Sequence, residues 1–275
     1  MKAIILAAGR GTRLRSAHEP PKCLLELDGA TLLDRYVRGL DALGIEMVVV
    51  AGYRAGDVRA HLDRLAPRTP ATVVLNEQYE QGSVVSLARG LEVISGELLL
   101  LDGDVLFHPA LLERIATGTA PNGLLVDLGS VFTGEEYMAG VDASRVTSLR
   151  RAAVKGHETS GEWVGFARLG ATAVTRLNVA VDRLVKAGET AGGYEDALAS
   201  ILADEDVRVV ATAGLPWTEI DFPDDIARAA ALAASISDSL ATSTAASTGT
   251  STVASTGAST GVRPIARPVA RRTAT

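Results

Sequence analysis

A single cysteine, Cys23, among 275 residues means that no intrachain disulfide can form, and fits a reducing compartment. Beside Lys22 it reads as a small buried residue rather than a nucleophile. No run approaches the roughly eighteen apolar residues of a membrane helix, and the first residues form a strand without a signal-peptide cleavage pattern. These absences predict a cytoplasmic protein with no membrane partner. An excess of basic residues is lacking too. The formal net charge is −6, and because Arg263, Arg267, Arg271 and Arg272 are the only charges after Asp238, residues 1–238 carry −10. An acidic body with a short basic tail argues against nucleic acid as the partner. From about Ser235 large apolar residues become scarce, leaving near-repeats of Ser, Thr, Ala and Gly that cannot offset chain entropy. The expected organisation is one body over 1–234, long enough to bury a sizeable core, and a disordered tail over 235–275. Monomer and homodimer both remain open.

What is present is concentrated at the start. Lys2 to Ala8 is an almost continuous apolar run, as in a strand buried on both faces of a parallel sheet. It runs into Gly9-Arg10-Gly11-Thr12-Arg13-Leu14, with Pro21-Lys22 one loop further on. Gly9 and Gly11 remove side chains where the backbone must turn sharply, so that successive N–H groups can face phosphate oxygens. Arg10, Arg13 and Lys22 add positive charge, and Thr12 adds a hydroxyl donor.

Strand-like and helix-like segments then alternate. Leu33, Tyr36, Val37 and Leu40 have helical spacing over 32–43, Gly44 supplies a stop, and Met47 to Ala51 reads as a strand. Helices over 58–65 and 84–94 flank a short strand at 72–75, and an apolar strand over 97–101 delivers Asp102-Gly103-Asp104. This order predicts a parallel sheet with right-handed crossovers and a ligand site at the strands' carboxyl ends, where the glycine loop and Asp102-Gly103-Asp104 both fall. Two carboxylates around a glycine suit Mg²⁺, a hard cation taking one or two carboxylates plus phosphate oxygens. An Asp-Gly turn with Asp104 as a cap is the bland alternative. In Trp217-Thr218-Glu219-Ile220-Asp221-Phe222-Pro223, Asp221 is either a second metal ligand or the cap of the following helix.

Leu6-Ala7-Ala8-Gly9-Arg10-Gly11-Thr12-Arg13-Leu14 followed by Pro21-Lys22 resembles the "LAAGxGxRL…PK" hallmark of the nucleotidyltransferase superfamily with a Rossmann-like, GT-A type domain. The likeness extends to about Ala234. It implies an α/β fold, a three-layer sandwich on a mostly parallel central sheet, and transfer of a nucleotidyl group with release of pyrophosphate. Carried onto this chain, it implies nucleotide contacts from Leu6, Ala8, Gly9, Arg10, Gly11, Thr12 and Asp102, catalysis by Arg13 and Lys22, and Mg²⁺ on Asp104 and Asp221. The segment Asn76 to Leu87, with Gln81, Gly82 and Ser83, resembles the base-binding loop and turn. Asn76-x-x-Tyr79 and Ser86-Leu87 look most like the branch that makes CDP-linked products from phosphocholine or phosphonates, although that branch commonly has an Asn pair where this chain has Ser83 and Val84. Gly161 to Leu169 and Gly193 to Leu198 resemble segments flanking that branch's acceptor pocket. There Glu162, Trp163, Tyr194, Glu195 and Asp196 would meet a cationic acceptor, with Trp217 a further aromatic candidate. Lys155 and Arg168 are candidates for the acceptor's phosphate or phosphonate. The expected substrates are CTP, or another nucleoside triphosphate, and a small phosphorylated or phosphonate acceptor. Competing expectations are a sugar-1-phosphate nucleotidyltransferase using UTP or dTTP, a glycosyltransferase sharing only Asp102-Gly103-Asp104, and a non-catalytic nucleotide-binding module.

Overall fold

The N-terminal apolar run forms strand β1 (Lys2–Ala7). Its alternate residues enter two different cores, Ala3, Ile5 and Ala7 on one side and Ile4 on the other, so the strand is covered on both faces. The structure is a computed structural model describing residues 1–14 and 18–248, with side chains described through residue 242. Residues Met1–Ile236 form one compact unit, which ends where a second unit begins at Ser237.

After the glycine loop come the short strands β2 (Glu26–Leu27) and β3 (Ala30–Thr31), then helix α1 (Leu32–Ala42). Thr31 and Asp34 form a reciprocal capping box at the start of α1, satisfying two donors that a helix end leaves orphaned. The chain continues through β4 (Glu46–Ala51), α2 (Ala55–Leu65), β5 (Ala71–Leu75), α3 (Ser83–Leu91), β6 (Leu98–Asp102), β7 (Val105–Phe107) and α4 (Pro109–Ala116). Next are β8 (Gly123–Leu128), β9 (Met138–Asp142), β10 (Arg145–Arg150), β11 (Thr159–Leu169), α5 (Ala171–Ala187), α6 (Glu195–Ile201), β12 (Arg208–Ala211), β13 (Trp217–Glu219) and α7 (Pro223–Thr248).

The main sheet has the order β5-β4-β1-β6-β11-β8-β12-β10-β9. Its first four strands are parallel, with Ile4 opposite Val48 and Leu100, and Leu6 opposite Val50 and Asp102. This is the predicted βαβα half. The other half adds antiparallel pairings, in which β11 lies against β6 and β8 and also pairs with β9, so that β11, β8, β12, β10 and β9 close into a ring. The Rossmann-like α/β class therefore holds, with its parallel order confined largely to the N-terminal half. Helices α1, α4 and part of α7 cover one face and α3, α5 and α6 the other, giving the three expected layers.

The expected start of a disordered tail, near Ser235, falls inside α7. Ala229, Ala233 and Ile236 are buried at helical spacing in the α1-side core, and the alanine-rich sequence carries high helix propensity. The rest of the expected tail, 249–275, lies outside the described residues. Among the described residues no helix is long and apolar enough to cross a membrane.

Candidate active site

The ends of β1 and β6 open into a cleft of about 420 Å³, whose walls include the glycine loop, Lys22, Asp102 to Asp104, Gly82, Ser83, Ser86, Tyr194, Glu195, Glu219 and Asp221. Gly103 explains part of this convergence. Its N–H donates to the Leu6 carbonyl at 3.0 Å, and a Cβ there would fall 2.7 Å from that oxygen, so only glycine lets the aspartate pair cross beside the glycine loop. Gly11 has φ +59°.

Two carboxylates from distant parts of the chain meet because of a small hairpin-like pairing. Strand β13 runs antiparallel to β7 with Glu219 opposite Val105, and the Ile220 N–H donates to the Asp104 carbonyl at 3.2 Å. Ile220 enters the core while Glu219 and Asp221, on either side of it, turn to the cleft, as period-two alternation requires. Carboxylate oxygens of Asp104, Glu219 and Asp221 lie within 4.8 Å of one another. Asp221 lies two residues before α7 and gives its carboxylate to Lys22 and Arg13 instead of capping the helix; Asp225, in the first turn, reaches back to accept from the Asp221 and Phe222 N–H groups at 2.9 Å each.

Lys22 sits between these acids. Its ammonium donates to Asp104 Oδ2 at 2.9 Å and to Asp221 Oδ1 at 2.7 Å. Burial alone would lower its pKa, but the two carboxylates outweigh burial and raise it. Arg13 reaches the same acid with Nη2 3.1 Å from Asp221 Oδ2, stacks over the Phe222 ring at 5.0 Å, and extends Nη1 to Glu135 at 2.8 Å. The hard oxygen donors of Asp104, Asp221 and Glu219 fit a divalent cation such as Mg²⁺, and Lys22 balances part of their charge.

Around this cluster the acids behave unequally. Desolvation first, and the charge of Asp104 next, raise the pKa of Asp102 well above the carboxylate range, while Tyr194 donates its hydroxyl to Asp102 Oδ1 at 2.8 Å. Gly165, at φ +88°, makes room for that carboxyl, since a Cβ would lie 2.5 Å from Asp102 Oδ2. Glu195 is raised to about 7, chiefly by desolvation and then by the charges of Asp196 and Asp104. Glu219 is solvent-accessible by surface area yet enclosed by protein on the cleft side. Desolvation there, then Asp104 and Asp221, raise its pKa. Cys23 is buried and its thiol is pushed up to about 12 by desolvation, as befits an inert residue.

The structure brings Leu6, Ala8, Gly9, Gly11, Thr12, Arg13, Lys22, Gly82, Ser83, Asp102, Asp104, Tyr194, Glu195 and Asp221 to one cleft. Other expected site residues are placed elsewhere. Arg10 leans over Tyr53 at 5.6 Å and pairs with Glu80 at 3.4 Å, tying the glycine loop to the 79–81 turn. Asn76 is fully buried, with Nδ2 donating to Ser86 Oγ at 2.9 Å and Oδ1 accepting from the Gln78 N–H at 3.0 Å, so it braces the loop before α3 from behind. Gln81, Glu162, Trp163 and Asp196 are not on the cleft wall. Trp163 donates Nε1 to the Phe166 carbonyl at 3.2 Å and packs edge-on against Tyr194, and Glu162 is buried within electrostatic reach of Glu219. Trp217 donates Nε1 to Asp127 at 3.0 Å. Arg168 donates to the Gly118 carbonyl and lies 4.0 Å from Glu97, so it faces away from the cleft, and Lys155 is exposed. The sequence predicted neither Glu219 nor the Glu135 and Arg151 pair as site residues. Alternation around Ile220 was a readable signal for Glu219, whereas Glu135 and Arg151 are brought in by tertiary pairing alone.

Residues 3–160 match the sequence profile of the MobA-like NTP transferase domain. A "Bifunctional IPC transferase and DIPP synthase" from Rubrobacter xylanophilus is 29% identical over 228 residues, covering 82% of this chain and 50% of its own length. The chain thus spans about half the length of that curated relative. The inositol-1-phosphate CTP transferase from T. maritima superposes with a TM-score of 0.66 at 23% identity, covering 86% of this chain and 96% of its own. The CTP:phosphocholine cytidylyltransferase LicC from Streptococcus pneumoniae superposes with a TM-score of 0.69 at 20% identity, covering 84% and 98%. At these identities the two structures establish the shared fold.

Proposed function

From the premise that the chain belongs to the MobA-like NTP transferase domain family, and is a nucleotidyltransferase, we propose that it transfers CMP from CTP to a small acceptor bearing a phosphate or phosphonate, releasing pyrophosphate. The observation that carries the proposal is the junction of Lys22, Arg13, Asp104, Glu219 and Asp221 beside the glycine loop. Cations and hard oxygen donors meet there within one cleft, as in-line phosphoryl chemistry needs. The names of the Rubrobacter relative and of both structural neighbours support the choice of cytidylyl transfer.

In the proposed reaction an acceptor oxygen attacks the α-phosphorus as the bond to the bridging oxygen breaks and its electron pair leaves with pyrophosphate. The nucleophile is already an anion, so no general base is needed, and positioning and charge neutralisation do the work. Backbone N–H groups around Gly9, Gly11 and Thr12 would cradle the triphosphate. Lys22 and Arg13 would stabilise the charge of the transition state. Asp104 and Asp221, with Glu219, would hold Mg²⁺, which when bound supplies Lewis-acid neutralisation of phosphate charge. Asp102, whose pKa desolvation raises and whose Oδ1 accepts from the Tyr194 hydroxyl, would line the nucleotide side. Glu195 would contribute to the acceptor side, backed by Trp163 behind Tyr194.

The test is pyrophosphate release with Mg²⁺, using CTP, UTP, dTTP, ATP and GTP against inositol 1-phosphate, phosphocholine, 2-aminoethylphosphonate and glucose 1-phosphate. Preference for CTP with a non-sugar acceptor supports the proposal. Preference for UTP or dTTP with glucose 1-phosphate would replace it with sugar-1-phosphate chemistry, and nucleotide binding without turnover would replace it with a non-catalytic module.

A further inference from the structure

We propose that Arg151 is the residue that takes the acceptor's phosphate or phosphonate group, at a position now filled by the protein's own Glu135 carboxylate. The inference rests on the nucleotidyl-transfer reading above.

Glu135 Oε2 is held by two guanidinium groups, Arg13 Nη1 at 2.8 Å and Arg151 Nη2 at 3.5 Å. Arg13 uses its other nitrogen on Asp221 at 3.1 Å, so the Glu135 carboxylate lies one guanidinium away from the acidic cluster. A carboxylate gripped by two arginines is the chemical analogue of a phosphate or phosphonate oxygen pair, which guanidinium groups bind with the same planar geometry. Arg151 is tied to the cleft through Glu135 and Arg13, whose other nitrogen meets Asp221 on the cleft wall, and its charge is felt by Glu195 there.

The other nearby cations have partners that occupy them. Lys22 is enclosed by Asp104 and Asp221, Arg10 pairs with Glu80, and Arg168 is turned to the Gly118 carbonyl and Glu97. Arg151 is half-exposed, and its ion pair with Glu135 is the longer arm of the two.

The segment carrying Glu135 is built to present it. Glu136 turns its carboxylate onto the backbone N–H groups of Thr133, Gly134 and Glu135 at 2.8, 3.0 and 3.2 Å, fixing the turn from below. Gly129 and Gly134 have φ of +96° and +138°, and Tyr137 donates its hydroxyl to the Gly192 carbonyl at 3.0 Å. Glu135 is thereby placed over Arg13 and Arg151 while remaining half-exposed, so an incoming anion can displace it. The acceptor then binds by exchanging one anion for another, which discriminates against neutral acceptors.

The experiment is steady-state pyrophosphate release with CTP and each of phosphocholine, 2-aminoethylphosphonate and inositol 1-phosphate, for the wild type, Arg151→Ala, Arg151→Lys and Glu135→Gln, with circular dichroism confirming the fold. Arg151→Ala should raise the acceptor KM on the order of 10–100-fold, the loss of one charge-assisted contact, and leave the CTP KM within about twofold. Arg151→Lys should fall between, and Glu135→Gln should lower the acceptor KM. An unchanged acceptor KM in Arg151→Ala, an equal rise in the CTP KM, or a raised acceptor KM in Glu135→Gln overturns the inference while the nucleotidyl-transfer reading stands. A wild type that releases no pyrophosphate with any pair sinks that reading and the inference with it.

Discussion

Lys22 has two tasks that separate experimentally. It neutralises Asp104 and Asp221 in the free protein, and it is proposed to stabilise charge during turnover. Lys22→Ala should therefore lower kcat by about 10²–10³, as loss of one preorganised charge does. Without the ammonium the three carboxylates face one another, so Mg²⁺ should raise the melting temperature of Lys22→Ala more than that of the wild type. Equal shifts in a thermal melt with and without Mg²⁺ would show that Lys22 does not share the carboxylates with a metal. Glu219→Gln should raise the Mg²⁺ concentration for half-maximal turnover by about 10–100-fold, the range seen when a metal's supporting groups are removed, and a Mg²⁺ titration of rate measures it. The residues with a local signature were legible in the sequence: glycines that need special backbone, an aspartate pair at a strand end, a lysine after proline. Asn76 illustrates the limit, because an amide in a loop between strand and helix looks the same whether it faces ligand or, as here, Ser86 and the Gln78 N–H.

Elements carry their own predictions. Gly82 has φ +116°, and a Cβ there would lie 2.1 Å from the Thr190 carbonyl oxygen, so the turn into α3 and the 188–194 loop pack through this one missing side chain. Gly82→Ala should destabilise the protein on the order of 1–3 kcal/mol in denaturant unfolding, the cost of a strained backbone, before any further cost of the contact. Glu136 is held at a pKa of about 2, against an ordinary 4.5, because hydrogen bonds from Thr133 and the turn's backbone outweigh the desolvation that would raise it. Its ionised form is the one the fold favours, so its contribution is complete above about 4.5 and fades as pH falls toward 2. The melting-temperature difference between wild type and Glu136→Ala should accordingly be widest near neutrality and narrow through that acidic window. A difference independent of pH would assign the loop's order to something else. Helices α1 and α3 and strands β1, β4 and β6 were readable because apolar spacing and bounding glycines agree locally. The ring of β8 to β12 was not, since its pairings join segments whose order in the sheet differs from their order in the chain.

At the scale of the whole molecule, the parallel half carries the glycine loop and Asp102 to Asp104, and the later half supplies Tyr194 and Glu195 to the cleft and Glu135 and Arg151 to its Arg13. The acidic sum of residues 1–238 has its counterpart in a cleft where carboxylates outnumber the cations placed among them. On the proposed reading a divalent cation relieves that imbalance, so chelation with EDTA should abolish turnover and added Mg²⁺ restore it. The catalytic end of the chain announces itself in sequence because phosphate chemistry demands few residue types at fixed spacing. The acceptor end is less legible, since small acceptors can be held by many combinations of acids, arginines and aromatics. Pyrophosphate release with CTP, Mg²⁺ and a panel of phosphate and phosphonate acceptors reaches the central claim most directly. Turnover that requires both CTP and a phosphate- or phosphonate-bearing acceptor is the expected result, and CTP binding with no pyrophosphate released for any acceptor would contradict it.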